Sequence, residues 1–227
     1  DRDQRKVLIN RLQDIVNEDQ VYAFLVHPLK TFAFDETVWD ASSAVEQPGL
    51  GIKNFWTFSN IAPMGDQKDI ILNSSDELNA INPFYISGAT DSWITELIWD
   101  RMMRIGPDGL ATPWAAEPVS WDDDAKGVTV TLREGMMWHD GEPVTIEDVV
   151  FSFTAPVKYA PMYKPFVDGI ANMVVVDDRT VRFELSNPNA AFETSTLAKI
   201  NLVPKHIWEP LLANLSDGEN AKSILEE

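Results

Sequence analysis

Cysteine is absent from this chain of 227 residues, and its absence excludes several kinds of chemistry. Without a thiol the chain can form no disulfide, no thiolate metal site and no cysteine nucleophile. Basic residues are also few, with 18 Lys and Arg against 36 Asp and Glu, so the formal net charge is −18. The phosphates of a nucleic acid would repel such a chain, and we therefore expect no nucleic-acid partner.

Long apolar runs are missing as well. The longest, such as residues 21–26, fall far short of the ~20 residues that a membrane helix needs. The first residues do not form an export signal, so we expect any such signal to lie outside this sequence. Hydrophobic residues nevertheless make up 44% of the chain, with 8 Trp and 11 Phe. This composition can fill a core and predicts a folded globular protein.

The spacing of apolar residues predicts both helices and strands. Apolar side chains recur at helical spacing over residues 4–19 and 93–102. Residues 128–132 and 181–185 alternate between apolar and polar side chains, which is typical of half-buried strands in local hairpins. The aromatic run at residues 55–58 is interpreted as a further strand.

Side chains that start helices support this assignment. Thr145 followed three residues later by Asp148 predicts a capping box. Thr90, Asp91 and Ser92 offer caps for the helix that contains residues 93–102. Helices and strands interleave irregularly, and most strand pairs are local hairpins. The fold class is therefore α/β with a mixed sheet rather than a repeating βαβ pattern.

One stretch is specific enough to indicate a family. Residues 132–153 read LREGMMWHDGEPVTIEDVVFSF, which resembles the signature of the family 5 extracellular solute-binding proteins, the oligopeptide, dipeptide and nickel binders. Shorter matches occur in the family's order at residues 78–83, 176–185 and 203–208. Together they cover roughly residues 66–225. The resemblance implies lobe I of a two-lobed periplasmic-binding-protein-like fold (type II, cluster C), with the second lobe missing.

The beginning of the chain resembles the end of a family member. The pieces that carry this likeness are the helix with Leu8 and Leu12, the run Val38-Trp39-Asp40 and the run Asn54-Phe55-Trp56-Thr57. We therefore expect residues 1–58 to match the family's C-terminal part of lobe I, 59–69 to be a junction containing Pro63 and Gly65, and 70–227 to match the N-terminal part. All three would form one lobe. Two tandem copies, a circular permutation or an engineered single lobe would each explain this order.

The resemblance also implies ligand-contacting residues. In the family, the loop after the "NP" turn lines the ligand cleft, and its backbone could pair with an extended peptide. An ordinary loop before a helix is the alternative. Two further places align near positions that touch ligand in relatives, although they can equally be core, which is favoured for Phe151. The candidates are Tyr85, Ile86, Ser87, Gly88, Ala89, Phe151, Phe24 and His27.

Metal and catalytic chemistry have no support in the sequence. His27, His139 and His206 are far apart and lack the spacing of metal ligands, so structural roles are favoured. The run at residues 122–124 lacks the pattern of a calcium loop and is interpreted as a solvated hairpin turn. There is no Gly-x-Ser-x-Gly motif and no P-loop. We expect no cofactor, no metal and no enzyme activity.

The resemblance implies a set of partners. These are a peptide or other small solute, the membrane permease of an ABC importer, and the missing lobe II supplied in cis or in trans. The location would be extracellular or periplasmic, at the cell surface. The rival hypothesis is a structural building block of a surface layer or filament, derived from such a lobe.

Overall fold

The computed structural model describes residues 2–20, 22, 26, 31–74, 76–216 and 219–225. It divides into two compact units, Asp1–Ala33 and Phe34–Glu227. Helix α1, Arg2–Asp19, lies in the first unit and confirms the helix expected at residues 4–19. The expected junction at residues 59–69 lies inside the second unit.

The second unit has an α/β fold, as expected. Its α-helices are α2 (Phe55–Asn60), α3 (Ala89–Ile98), α4 (Ile146–Tyr159), α5 (Lys164–Val167) and α6 (Lys205–Ala213). Its strands are β1 (Met103–Ile105), β2 (Ala111–Pro113), β3 (Ser120–Trp121), β4 (Gly127–Thr131), β5 (Ile170–Val175) and β6 (Thr180–Leu185). None of the described helices combines the length and the apolar character needed to cross a membrane.

A four-stranded antiparallel sheet with the order β3-β4-β6-β5 organises this unit. Its inner face follows from the alternation in the sequence. In the β4–β6 register, Val128 lies opposite Phe183 and Val130 opposite Val181, and all four side chains are fully buried. Phe153 of α4 meets Phe183 edge to face, with 5.0 Å between ring centroids. The pairings of β3 with β4 and of β5 with β6 confirm the two predicted hairpins, and α4 covers the apolar face of the sheet.

The aromatic run at residues 55–58 is helical, so the strand predicted there is wrong. Asn54 caps α2 by accepting a hydrogen bond from the Thr57 amide at 3.0 Å. This cap satisfies an amide that would otherwise lack a partner, and it outweighs the preference of aromatic residues for strands. The indole of Trp56 then donates to the Ile105 carbonyl oxygen at 2.8 Å, which joins α2 to β1.

A buried arginine strengthens the same contact. The Arg104 guanidinium carbon lies 3.6 Å from the ring centroid of Phe55 and 5.3 Å from that of Trp114. Its Nη2 atom donates to the Glu96 carbonyl oxygen at 2.9 Å and lies 3.3 Å from the Asp100 carboxylate. Burial lowers the pKa of Arg104 to about 10, so the side chain stays charged at neutral pH. Cation–π contact with aromatic rings partly compensates for the lost hydration.

Helix α4 begins with the predicted capping box. The Thr145 hydroxyl accepts from the Asp148 amide at 3.3 Å, and the Asp148 carboxylate accepts from the Thr145 amide at 2.8 Å. The same carboxylate accepts from the Trp138 indole at 3.1 Å and from the Lys205 amide, at the start of α6, at 2.7 Å. Asp148 is only 4% exposed. One carboxylate therefore holds the starts of two helices and the turn at residues 137–143, which we call the signature turn.

Replacing Asp148 with Ala should lower the free energy of unfolding by about 3 kcal/mol, because the donors of Trp138, Thr145 and Lys205 would lose their acceptor. Urea unfolding followed by tryptophan fluorescence measures this loss. Glu147→Ala is the matched control, since the Glu147 side chain is 75% exposed and reaches Lys205 only at 3.5 Å. We expect the control to lose less than about 1 kcal/mol. Equal losses in the two variants would contradict the central role of Asp148.

Candidate functional site

The loop that precedes α3, residues 82–88, contains four of the eight candidate ligand residues, and a fifth, Ala89, begins the helix. We refer to this loop as the α3 loop. Two buried amides hold its first turn. The Asn82 side chain donates to the Ala221 carbonyl oxygen at 2.8 Å and accepts from the Phe84 amide at 2.9 Å. The Asn201 side chain donates to the Pro83 carbonyl oxygen at 3.0 Å. These contacts join the loop to distant parts of the chain.

A buried carboxylate holds the other end of the α3 loop. Asp91, in the first turn of α3, accepts hydrogen bonds from the Ser87 hydroxyl at 2.6 Å and the Ser87 amide at 3.2 Å. Its second oxygen accepts from the Asn79 amide at 2.9 Å. Asp91 therefore joins the loop to the residues that precede the turn.

The environment of Asp91 sets its charge. Burial raises its pKa, but the hydrogen bonds from Ser87, Asn79 and Ala80 together lower it by more, so the pKa lies below the ordinary value of 3.8. A buried carboxylate that accepts several hydrogen bonds is stabilised in its ionised form. Asp91 is therefore an anion at neutral pH and acts as a fixed acceptor for the loop.

The backbone of the α3 loop keeps groups that are available for pairing. The Gly88 carbonyl oxygen accepts from the Ser92 amide at 3.2 Å, which starts α3. Within the described part of the chain, no backbone group bonds to the amides of Ile86 and Gly88 or to the carbonyl oxygens of Ile86 and Ser87. The loop is therefore held in place by side chains, while part of its backbone remains open.

The structure places the candidate loop residues in different surroundings. Tyr85 is half-buried, and the Lys222 ammonium lies 5.5 Å from its ring centroid. Ile86 is partly buried against the core, whereas the side chains of Ser87 and Ala89 are exposed. Ile86 thus anchors the loop to the core, while the polar side chain of Ser87 is exposed.

The other candidates divide into two groups. Phe151 of α4 is half-buried and packs against the same core cluster as Ile86, in agreement with the core placement favoured for it. Phe24 and His27 lie outside the described residues. A ligand role for Phe151, Phe24 or His27 stays a prediction.

The residues that position the loop were not identified from the sequence as site residues. Asp91 was expected only to offer a cap for α3, whereas the helix has Gly88 at its N-cap and Asp91 binds back to the loop. The sequence did contain a signal for this contact, since the Asp91 carboxylate, four residues after Ser87, can reach Ser87 across one turn. Asn201 carried no such signal, because its partner Pro83 is 118 residues away in sequence.

Apart from the α3 loop, a concave region lies near the signature turn. It is a groove of about 230 Å³, lined by Ile98, Trp99, Trp138, His139, Asp140, Pro204, Ile207 and Trp208. Beside it, His206 Nε2 lies 2.7 Å from the Asp140 carboxylate. This hydrogen bond raises the pKa of His206 and lowers that of Asp140. Among the described residues, no group of three or more His, Asp or Glu is arranged to hold a metal ion.

Comparison with protein families identifies one match. The family model described as bacterial extracellular solute-binding proteins, family 5 Middle, matches residues 111–224. The matched region includes the four-stranded sheet, α4 and the signature turn with Trp138. The α3 loop precedes it.

Individual relatives agree with this match. The uncharacterized protein y4wM of Sinorhizobium fredii is 33% identical over 161 residues, which cover 70% of this chain and 24% of that protein. The probable peptide-binding protein YejA of Agrobacterium fabrum is 29% identical over 161 residues, which cover 70% of this chain and 26% of that protein. The chain thus spans about a quarter of the length of these curated relatives.

A solved structure shows the same fold. The binding protein AgaA from A. tumefaciens R10, in complex with agropinic acid, superimposes with a TM-score of 0.55 at 26% identity. The match covers 63% of this chain and 29% of that chain. The fold of this part of the chain is therefore found in a solved binding protein.

Replacing Asp91 with Asn should lower the free energy of unfolding by about 2 kcal/mol, because an amide cannot accept on both sides and would turn a donor toward Ser87 or Asn79. Chemical denaturation measures the loss. Ser92→Ala, one residue further in α3, is the control and should change stability by less than about 0.5 kcal/mol. A loss no larger than that of the control would show that Asp91 does not hold the loop.

The same carboxylate predicts a pH dependence. Because its pKa is lower in the folded state than in the unfolded state, Asp91 stabilises the fold fully above its unfolded pKa, near 3.8. This stabilisation is lost as pH falls through the lower folded pKa. The stability difference between the wild-type chain and Asp91→Asn should therefore be constant from neutral pH down to about pH 5 and shrink below about pH 4. A difference that stays constant down to the lowest pH at which the chain folds would contradict the lowered pKa.

Proposed function

The chain belongs to the family 5 bacterial extracellular solute-binding proteins, and from this membership we propose that it forms a solute-binding lobe of a protein that delivers peptides or similar solutes to an ATP-driven importer. The function is binding without a reaction step. It takes place outside the cytoplasmic membrane, where the membrane permease of the importer is the partner.

The α3 loop is the proposed contact with the ligand. The observation that carries the proposal is its backbone, which is fixed by Asn82, Asn201 and Asp91 and leaves groups of Ile86, Ser87 and Gly88 unpaired within the described residues. Such a backbone can pair with an extended ligand as an added strand does, which gives affinity with little dependence on ligand side chains. A prearranged loop also lowers the entropy that binding costs.

The relatives bear on the class of ligand. YejA is named a probable peptide-binding protein, and AgaA is in complex with agropinic acid. Recognition through the backbone favours an extended oligopeptide, because its amides and carbonyl groups repeat at the spacing of a strand. We therefore assign the ligand to oligopeptides, with Tyr85, Ile86, Ser87, Gly88 and Ala89 at the contact.

Two segments are proposed to build one lobe. Residues 1–58 resemble the end of a family member, and α2, near the end of this segment, packs against β1 through Trp56 and Arg104. This contact supports a lobe assembled from the family's two terminal pieces. A second lobe, in cis or in trans, would supply the rest of the pocket and would close on the ligand by hinge motion.

Isolated as this chain, the lobe should bind oligopeptides with a dissociation constant above about 1 µM, because half of the buried surface and all of the closure are missing. Titration calorimetry with a pool of tri- to pentapeptides measures the affinity. Uncharged peptides with different side chains should bind within about tenfold of one another, whereas the same peptides with methylated backbone nitrogens should bind more weakly.

Each part of this prediction has an outcome that contradicts it. Sub-micromolar affinity would contradict the single-lobe proposal. Equal binding of the methylated peptides would contradict recognition through the backbone. Asp91→Asn, tested under conditions where it remains folded, should weaken binding because the loop loses its anchor, whereas the control Ser92→Ala should bind as the wild-type chain does.

A further inference from the structure

Strand β5 forms one edge of the four-stranded sheet, and β6 is its strand neighbour. The pattern of hydrogen bonds shows which of its backbone groups face outward. The Val176 amide bonds to the Thr180 carbonyl oxygen at 2.8 Å, and bonded positions alternate along an antiparallel pair. The backbone amides and carbonyl groups of Asn172 and Val174 therefore face β6. Those of Met173 and Val175 point away from the sheet.

The end of this strand carries apolar side chains that are exposed. Val174, Val175 and Val176 are 41%, 50% and 58% exposed. Residues 170–176 contain no charged side chain and no proline. Natural proteins usually protect such an edge with charges, a proline or a covering segment, because unpaired strand groups readily pair with another chain. The edge of β5 lacks the first two kinds of protection within its own sequence.

Charge at the two ends of the strand defines what would fit there. Asp168 precedes β5 and Asp177 and Asp178 follow it, all three exposed. The two nearby arginines are already paired, since Arg179 meets Glu134 at 2.8 Å and Arg182 binds Asp122 and Glu184. The edge is therefore an apolar, hydrogen-bonding centre between two acidic ends.

We propose that the β5 edge binds an extended segment of a partner protein whose uncharged, β-forming centre is flanked by Lys or Arg residues. The segment would add a fifth strand to the sheet, pairing with the backbone of Met173 and Val175 and placing its basic ends against Asp168 and Asp178. This surface is separate in sequence from the α3 loop, and the proposal does not depend on the ligand assigned to that loop.

A second copy of the chain fits the edge less well. If two β5 strands paired antiparallel about Met173, Asp178 of each copy would lie opposite Asp168 of the other. Like charges in these positions disfavour the pairing, and the net charge of −18 on each chain adds to the repulsion. Charge complementarity therefore favours a basic partner over self-association.

The proposal is tested with a labelled synthetic peptide of alternating Thr and Val between paired lysines, and with the same peptide carrying glutamates in place of the lysines. Fluorescence anisotropy measures binding to the chain. The lysine peptide should bind at least about tenfold more tightly than the glutamate peptide, and the difference should shrink at high salt. Val175→Pro should weaken binding of the lysine peptide at least about tenfold, because it removes an outward amide while an edge strand tolerates proline.

Controls make the outcome specific to the edge. Val175→Thr keeps the amide and the strand preference and should bind within about twofold of the wild-type chain. If Val175→Pro does not fold, Val175→Lys replaces it and should weaken binding through repulsion of the basic ends. Three outcomes would each overturn the proposal. The first is failure of the lysine peptide to bind the wild-type chain, and the second is equally tight binding of this peptide to Val175→Pro. The third is self-association of the wild-type chain in sedimentation that Val175→Pro abolishes.

Discussion

The carboxylate of Asp148 connects three parts of the second unit that are separated in sequence. It accepts from Trp138 in the signature turn, from Thr145 at the start of α4 and from Lys205 at the start of α6. A buried carboxylate without such donors would be costly, and the donors without the carboxylate would be equally unsatisfied. The position of α4 against the sheet and the position of α6 beside α4 therefore depend on one another through this group.

The same solution recurs where the unit meets its candidate ligand. Asp91, Asn82 and Asn201 are short polar side chains that are buried and bind backbone groups of the loop or of the residues beside it. They fix the α3 loop without covering its outer backbone. A loop held in this way can present amides and carbonyl groups in a constant arrangement, which suits ligands that share a backbone but differ in side chains.

The two proposed binding surfaces use similar chemistry with different selectivity. Among the described residues, the α3 loop presents unpaired backbone groups beside the half-buried Tyr85 and Ile86, and we propose that it selects ligands by their extended shape. The β5 edge presents strand groups that no described strand pairs with, between acidic ends, and its proposed selectivity comes from charge. In both proposals, backbone pairing supplies the affinity, and the neighbouring side chains determine which ligand or partner binds.

The sequence by itself determined the features that depend on near neighbours. The capping box of Thr145 and Asp148, helix α1 and the alternating strands β4 and β6 all follow from residues within a few positions of one another, and the run at residues 132–153 indicated the family. Only the tertiary structure decided that residues 55–58 are helical, that Asn201 supports Pro83, and that β5 is left at the sheet edge. These features depend on which distant segments meet, and neither apolar periodicity nor capping preference specifies a contact across 118 residues.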